Sequence, residues 1–276
     1  MMRSNLLIMV LAFAFLSVSL AGPTASMYEP VVKSITNGST VYLGKVGPGQ
    51  TFYVNITAST YTDSGNYLNL GWNELVVKKA PPGWVVQNSS LNTVDLPVLI
   101  KPAADTPPGE YPITFQAVNI GNYSGLGTLT FTGYINVTPD VFKLQVSPAV
   151  LYINAGSNAD ILISINNTGV SDNPFIITLD GLPAWNQTET AIAPHHTTKT
   201  FIYGINEYIP GVYNTKLLVQ SISSPMVYKE TNVTIVVKSG ILSDYTAIGG
   251  GAETFPIIYQ PAMDVMYVIG EIIKHI

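Results

Sequence analysis

The chain has 276 residues, no cysteine and a formal net charge of −5, and only 11% of its residues are charged. Because globular proteins average about 25% charged residues, the surface must be polar mainly through Asn, Ser, Thr and Tyr. The missing cysteines exclude disulfides, thiol catalysis, zinc fingers and iron–sulfur clusters. Arg3 is the only arginine, so bidentate guanidinium contacts to phosphate and guanine are lacking, and we expect no nucleic-acid partner.

The segment 1–21 predicts a secretory signal peptide. Arg3 precedes an apolar run over 6–20, and small residues close the segment at Ala21. A basic start, a short apolar stretch and a small-x-small exit are typical of such peptides, and the run is short for a bilayer span of about 20 residues. We expect cleavage after Ala21, with Ser26 as the second candidate and an uncleaved anchor as the alternative. The predicted location is extracellular, at the cell surface.

The rest of the sequence repeats itself with a period of about one hundred residues. Two motifs that combine a turn with an aromatic residue occur in both copies. Pro82-Gly83-Trp84 matches Pro183-Ala184-Trp185, and Pro108-Gly109-Glu110-Tyr111 matches Pro210-Gly211-Val212-Tyr213. A self-match at a fixed spacing indicates tandem copies of one folding unit. We predict a first domain over 28–139 and a second over 140–239.

Both copies contain short strands with alternating apolar residues, clearest over 52–56 and 161–165. This alternation is typical of strands that bury one face. Roughly seven short strands per copy favour a sandwich of immunoglobulin type. The predicted fold class is therefore all-β, with two tandem immunoglobulin-like β-sandwiches and a short C-terminal amphipathic helix. Trp84 and Trp185 are expected in the two cores, and Tyr111 and Tyr213 at corners before a strand.

The second copy provides the clearest motifs. They are Asn166-Asn167-Thr168-Gly169, Gly181-Leu182-Pro183-Ala184-Trp185, Ile192-Ala193-Pro194 and Pro210-Gly211-Val212-Tyr213. With these residues the chain resembles the tandem Ig-like modules of bacterial and archaeal surface proteins, including glycosidase-associated modules and the bacterial cell-adhesion-related domain. The resemblance implies an extracellular structural or adhesive role and brings no catalytic residues with it.

Glycans are the expected source of the hydration that the missing charges do not supply. The chain contains eight Asn-x-Ser/Thr sequons, which is more than chance predicts for its composition. The predicted glycosylation sites are Asn37, Asn55, Asn88, Asn122, Asn136, Asn166, Asn186 and Asn232.

The segment 240–276 is predicted to be a linker followed by an amphipathic helix. Val265, Ile269, Ile272 and Ile276 follow one another at spacings of four, three and four, which places them on one helix face. Because a helix this short is marginal alone, we expect it to dock on its own second domain, on a second copy or partner protein, or peripherally on a membrane surface. It is too short and polar to span a bilayer.

The most function-like segment is an insertion in the first copy, over 61–74. Its aromatic residues Tyr61, Tyr67 and Trp72 stand among Asn and Asp residues, a mixture that suits stacking on sugar rings or contact with a protein. The alternative is a longer hairpin whose Trp72 covers the core. His195-His196 has no third ligand nearby in sequence, so turn residues are favoured over a metal site.

These observations favour an exported, glycosylated structural or adhesive protein, a spacer or assembly subunit of an envelope layer or surface filament. Other surface proteins, further copies of the chain and glycans are the expected partners. No catalytic, metal-binding or cofactor-binding residue is predicted, and the chain is not expected to be an enzyme. The alternatives are a carbohydrate-binding module protein and an accessory extracellular subunit of a membrane complex.

Overall fold

The computed structural model describes residues 23–61, 66–121, 126–183 and 188–239. They divide between Thr138 and Pro139 into two compact units. The first strand begins at Thr24, so ordered structure starts before the predicted domain start at residue 28. Within these ranges we find no helix with the length and apolarity needed to cross a membrane. The predicted signal peptide and the predicted C-terminal helix lie outside the described residues.

The first unit consists of two packed sheets and a small hairpin. Its described strands are β1 (Thr24–Glu29), β2 (Lys33–Thr36), β3 (Thr40–Val46), β4 (Phe52–Thr57), β5 (Thr60–Tyr61), β6 (Tyr67–Leu68), β7 (Glu74–Lys79), β8 (Val85–Gln87), β9 (Asp95–Lys101), β10 (Gly109–Val118) and β11 (Thr128–Val137). One sheet has the order β2-β1-β4-β9-β8 and the other β3-β11-β10-β7, while β5 and β6 pair with each other.

The second unit repeats this plan with fewer strands. Its described strands are β12 (Phe142–Ser147), β13 (Val150–Asn154), β14 (Asn158–Asn167), β15 (Asn173–Asp180), β16 (Thr188–Ala193), β17 (Thr198–Asn206), β18 (Gly211–Ser221) and β19 (Tyr228–Lys238). One sheet has the order β12-β14-β17 and the other β13-β19-β18-β15-β16.

In both units the chain starts in one sheet and then crosses to the other. Strand β1 pairs antiparallel with β4, and β12 pairs antiparallel with β14. The following long strands then run parallel to the last strand of their unit, β3 beside β11 and β13 beside β19. This shared topology of two facing sheets confirms the predicted fold class of tandem immunoglobulin-like sandwiches.

Apart from the additional strands β2, β5 and β6 of the first unit, the described parts of the two copies differ in the placement of one strand. Strand β8 pairs with β9 in the first unit, whereas its counterpart β16 pairs with β15 in the opposite sheet. Strand β17 is therefore an edge of its sheet over Thr198–Asn206. Lys199 pairs with Ile165, a core residue, so it occupies an inward-facing register position and yet is exposed. A charge at such a position is a known means of blocking edge-to-edge strand pairing.

The predicted alternating strands supply the cores. Phe52, Val54 and Ile56 are buried in the first unit, as are Ile161, Ile163 and Ile165 in the second. An aromatic pair links the two central strands of one sheet in the first core, where the Phe115 and Phe131 rings stack at 4.9 Å. In the second core the Phe142 and Phe175 rings lie 4.8 Å apart. With no cysteine present, burial of these side chains supplies the main stabilising free energy.

Both predicted corner tyrosines are confirmed. The Tyr111 hydroxyl donates a hydrogen bond to the Pro107 carbonyl at 2.9 Å, and the Tyr213 hydroxyl donates to the Ile209 carbonyl at 2.8 Å. The prediction that Trp84 is a core residue is wrong, because Trp84 is half-buried and its ring packs 5.5 Å from the Tyr111 ring. It covers the corner from outside the sandwich.

The corners yield a stability prediction. Tyr111→Phe and Tyr213→Phe each remove one exposed hydrogen bond and retain the ring, so each should lower the free energy of unfolding by about 1 kcal/mol. Urea unfolding of the single and double variants measures this change. The two sites lie in different units, so their effects should add; a loss above about 3 kcal/mol for either variant would contradict a local role.

Candidate functional site

An aromatic hairpin projects from the first unit. Thr60 pairs with Leu68 and Tyr61 with Tyr67 across β5 and β6. The Tyr61 and Tyr67 rings lie 5.3 Å apart with a tilt of 57°, and more than half of each side chain is exposed. The structure therefore brings together two of the three aromatic residues that the sequence singled out.

The third, Trp72, does not belong to this surface. Its side chain is fully buried, and its backbone N–H donates to the Ala58 carbonyl at 2.9 Å. A Cβ at the preceding Gly71 would lie 2.9 Å from Leu126 Cδ1, so glycine lets the chain pass close to its neighbours. Of the three residues predicted for a possible ligand or partner surface only Tyr61 and Tyr67 remain, and the burial of Trp72 agrees with the alternative, a hairpin whose Trp72 covers the core.

A cavity of about 150 Å³ opens beside the hairpin, and we call it the hydroxyl pocket. The hairpin is fixed to β1 because the buried Thr60 hydroxyl donates to the Thr24 carbonyl. The pocket is lined by Tyr61, Tyr67 and five aliphatic hydroxyl side chains, Thr24, Ser26, Thr57, Ser59 and Thr60. None of the described residues that line the pocket is charged.

Tyr28 lies on the same sheet, near Asp95 of β9 and Asn55 of β4. Partial burial, followed by the hydrogen bond to Asp95 and its negative charge, raises the pKa of the Tyr28 phenol above its ordinary value. This tyrosine therefore stays neutral to a higher pH than an ordinary tyrosine.

A second surface feature occurs in both units, on the sheet opposite the first strand. In the first unit Tyr42, on the edge strand β3, pairs with Tyr134, which in turn pairs with Pro112. The neighbours of Tyr42 are the buried Val41 and Leu43, so the Tyr42 side chain points outward, and 52% of it is exposed. Together Tyr42, Tyr134 and Pro112 form the first edge-tyrosine row.

The second unit has the corresponding row at the same place. Tyr152 on the edge strand β13 pairs with Val236, which pairs with Val212. Tyr152 is 64% exposed and Val212 is 68% exposed, and Lys238 Nζ lies 5.1 Å from the Tyr152 ring centroid. Tyr152, Val236 and Val212 are the second edge-tyrosine row. The sequence analysis missed both rows, although a tyrosine between two core residues in each strand was a usable signal.

The histidine pair is part of a turn. Asp172 Oδ1 accepts from the His195 backbone N–H at 2.8 Å and lies 2.6 Å from His195 Nδ1. Partial burial would raise the pKa of Asp172, but the hydrogen bonds from His195 and its charge outweigh burial and lower this pKa. Within the described ranges no three His, Cys, Asp or Glu side chains are placed to hold a metal ion.

The predicted glycosylation sites differ in exposure. Asn37, Asn88 and Asn232 are exposed, and Asn136 and Asn166 are half-buried. Asn55 is only 9% exposed, and its Oδ1 is buried. The predicted glycosylation sites Asn122 and Asn186 lie outside the described residues. The same holds for the predicted core residue Trp185 and for the predicted helix residues Val265, Ile269, Ile272 and Ile276.

Comparisons with known proteins show limited similarity. A chimeric titin Z1Z2 with a KLER peptide from decorin is 13% identical, with 80% of this chain and 100% of that chain covered and a TM-score of 0.35. Tandem Ig repeats of Dlar are 10% identical, with coverages of 79% and 99% and a TM-score of 0.26. A β-glucosidase from Listeria innocua is 14% identical over 36% of this chain, at a TM-score of 0.26.

The match to that β-glucosidase spans only 16% of its length. No protein-family model matches the chain, and no curated protein matches it. All three TM-scores are below 0.5, so the assignment to the immunoglobulin-like class rests on strand order and pairing within each unit.

The burial of Trp72 yields a prediction. Trp72→Ala should destabilise the first unit by about 3–5 kcal/mol, because it leaves a large cavity in the core. Tyr67→Ala, at an exposed position of the hairpin, should change stability by less than about 1 kcal/mol. Denaturant unfolding compares the stabilities of the two variants. If the Trp72→Ala protein is as stable as the Tyr67→Ala protein, Trp72 is not a core residue.

Site exposure also predicts glycan occupancy. In a host that glycosylates exported proteins, Asn37, Asn88 and Asn232 should be occupied, whereas Asn55 should carry the least glycan because a covered side chain leaves no room for a bulky group. Peptide mass spectrometry gives the occupancy at each sequon. Full occupancy of Asn55 in a folded protein would contradict the strand arrangement around it.

Proposed function

We propose that this chain is an exported, glycosylated structural or adhesive protein of the cell surface. Its two sandwiches act as spacer domains and its outward faces join it to neighbouring molecules in an envelope layer or surface filament. The proposal includes the absence of catalysis. It agrees with the resemblance to Ig-like modules of bacterial and archaeal surface proteins.

The observation that carries the proposal is the repeated edge-tyrosine row. Each unit exposes a tyrosine on the edge strand of its sheet, beside apolar or aromatic residues on the next two strands. Tyrosine is enriched at protein interfaces because its ring adds contact area and its hydroxyl remains hydrated. Cross-strand pairing of these side chains supports each sheet, and the exposure of Tyr42, Tyr152 and Val212 leaves the same side chains accessible to a partner.

A second copy of this chain is the partner we propose for the rows. A row that occurs twice in one chain needs a partner that offers a repeated surface, and an array of identical subunits provides one. The low charge content, 11% of residues, also limits the repulsion between copies. Association of this kind suits a layer or filament.

The start of the fold is compatible with export. Ala25 and Met27 of β1 are buried in the first core. Cleavage after Ala21 would leave β1 whole, whereas cleavage after Ser26 would remove Ala25 and half of the strand. We therefore favour Ala21 as the cleavage site in the proposed precursor.

Light scattering of the chain from residue 22 onward tests the assembly. The wild type should form oligomers, and Tyr42→Ser with Tyr152→Ser should shift it toward the monomer by at least tenfold in dissociation constant, because two aromatic contacts are lost. Tyr53→Ser is the matched control, since Tyr53 is exposed to a similar degree on the opposite sheet. A wild-type chain that is monomeric at all concentrations would overturn self-assembly.

Truncation before residue 255 separates the rows from the C-terminal segment. If the truncated chain is monomeric while the tyrosine variants still assemble, the tail rather than the rows joins the subunits. If a membrane protein co-purifies with the full chain and is lost on truncation, the chain is an accessory subunit of a membrane complex. Either result would replace the rows as the basis of the proposal.

A further inference from the structure

We infer that the hydroxyl pocket beside the Tyr61–Tyr67 hairpin binds one ring of a neutral sugar. This inference is independent of the proposed assembly, because the pocket is bordered by β1, β4 and the hairpin, whereas the first edge-tyrosine row lies on the sheet of β3 and β11. The proposed site contains Tyr61 and Tyr67 but not Trp72, because Trp72 is buried.

The chemistry of the lining selects an uncharged polyhydroxyl ligand. Each Ser or Thr hydroxyl offers one donor and two acceptor lone pairs, which is the hydrogen-bonding pattern of a sugar hydroxyl. A charged ligand would enter without a counter-ion in the lining and would lose hydration. A purely apolar ligand would cover the exposed hydroxyl of Ser26 and the partly exposed hydroxyl of Ser59 without replacing their hydrogen bonds to water.

Part of this hydrogen-bonding capacity is already directed by the protein. The Thr60 hydroxyl donates to the Thr24 carbonyl, and the Thr57 hydroxyl donates to the Ser59 carbonyl at 3.2 Å. The half-buried Thr57 oxygen therefore presents a lone pair that can accept from a ligand, whereas the buried Thr60 hydroxyl holds the hairpin against β1. The hydroxyls of Ser26 and Ser59 have no side-chain hydrogen bond to the described protein and can donate. Acceptors and donors thus lie side by side in one small cavity.

The cavity size limits the ligand to a single ring. A volume of about 150 Å³ equals that of a protein cavity known to hold benzene, a six-membered ring. Pockets for larger ligands usually measure about 300–1,000 Å³. Because this cavity is open to solvent and a hexose has about twice as many heavy atoms as benzene, it can cover at most part of one pyranose ring, and the remainder of the sugar would extend into solvent.

The exposed tyrosines supply the apolar part of the contact. More than half of Tyr61 and of Tyr67 is accessible, and both rings border the pocket. The C–H face of a pyranose ring is apolar and can pack on an aromatic ring, while its hydroxyls turn toward the polar lining. The hairpin thus provides a stacking face and β1 and β4 provide the hydrogen bonds.

Titration of the exported chain with methyl glucoside, methyl mannoside and methyl galactoside tests the inference. With labelled tyrosine, NMR should show saturable shifts of Tyr61 and Tyr67 at millimolar concentrations for at least one of these sugars. Tyr67→Ala should weaken that affinity about three- to tenfold, whereas Tyr67→Phe should stay within about twofold because the ring is retained. Ser26→Ala should also weaken binding, by about threefold or more.

Tyr42→Ala is the matched control, since this exposed tyrosine lies away from the pocket. It should leave the sugar affinity unchanged and lower assembly, whereas Tyr67→Ala should do the reverse, so the two proposals can fail separately. The inference is wrong if none of the three sugars gives a saturable shift, or if Tyr67→Ala binds as well as the wild type. Tighter binding of glucuronate than of methyl glucoside would also overturn the neutral-sugar assignment.

Discussion

Burial of the two facing sheet surfaces is the interaction on which each sandwich depends. The chain has no cysteine, so no disulfide joins the sheets and the contact of inward side chains must hold them. Stacked rings such as Phe115 and Phe131 tie neighbouring strands of one sheet, while the crossing of the chain from β1 to β3 places consecutive segments in both sheets. The outer surfaces contribute less to stability than the core, so they can carry side chains that contact other molecules.

The two outer surfaces of the first unit carry different kinds of side chain. The sheet that contains β1 and β4 carries hydroxyl groups and the aromatic hairpin, a combination suited to small polar ligands. The opposite sheet carries the flat edge-tyrosine row, a shape suited to another protein surface. One sandwich can therefore present two independent contacts, and the core that separates them keeps a change in one from altering the other.

The sequence predicted the fold through period and spacing, because inward positions must be apolar and turns need particular residues. It placed Trp84 in the core and left two alternatives open for Trp72. Both are tryptophans near a turn, and only the tertiary fold places Trp72 beneath the hairpin and Trp84 against Tyr111. The hydroxyl pocket escaped prediction for the same reason, since β1, β4 and the hairpin meet only in three dimensions.

The exposed Lys199 at the edge of β17 affects how readily this strand pairs with other chains. The backbone N–H and C=O groups of an exposed strand edge can pair with another extended chain, including an unfolded copy of the same protein. A single ammonium group at the inward register makes such pairing costly, because joining strands would desolvate it. Lys199 thus disfavours association through the backbone of β17 and leaves contacts between side chains as the favoured way for the second unit to bind other molecules.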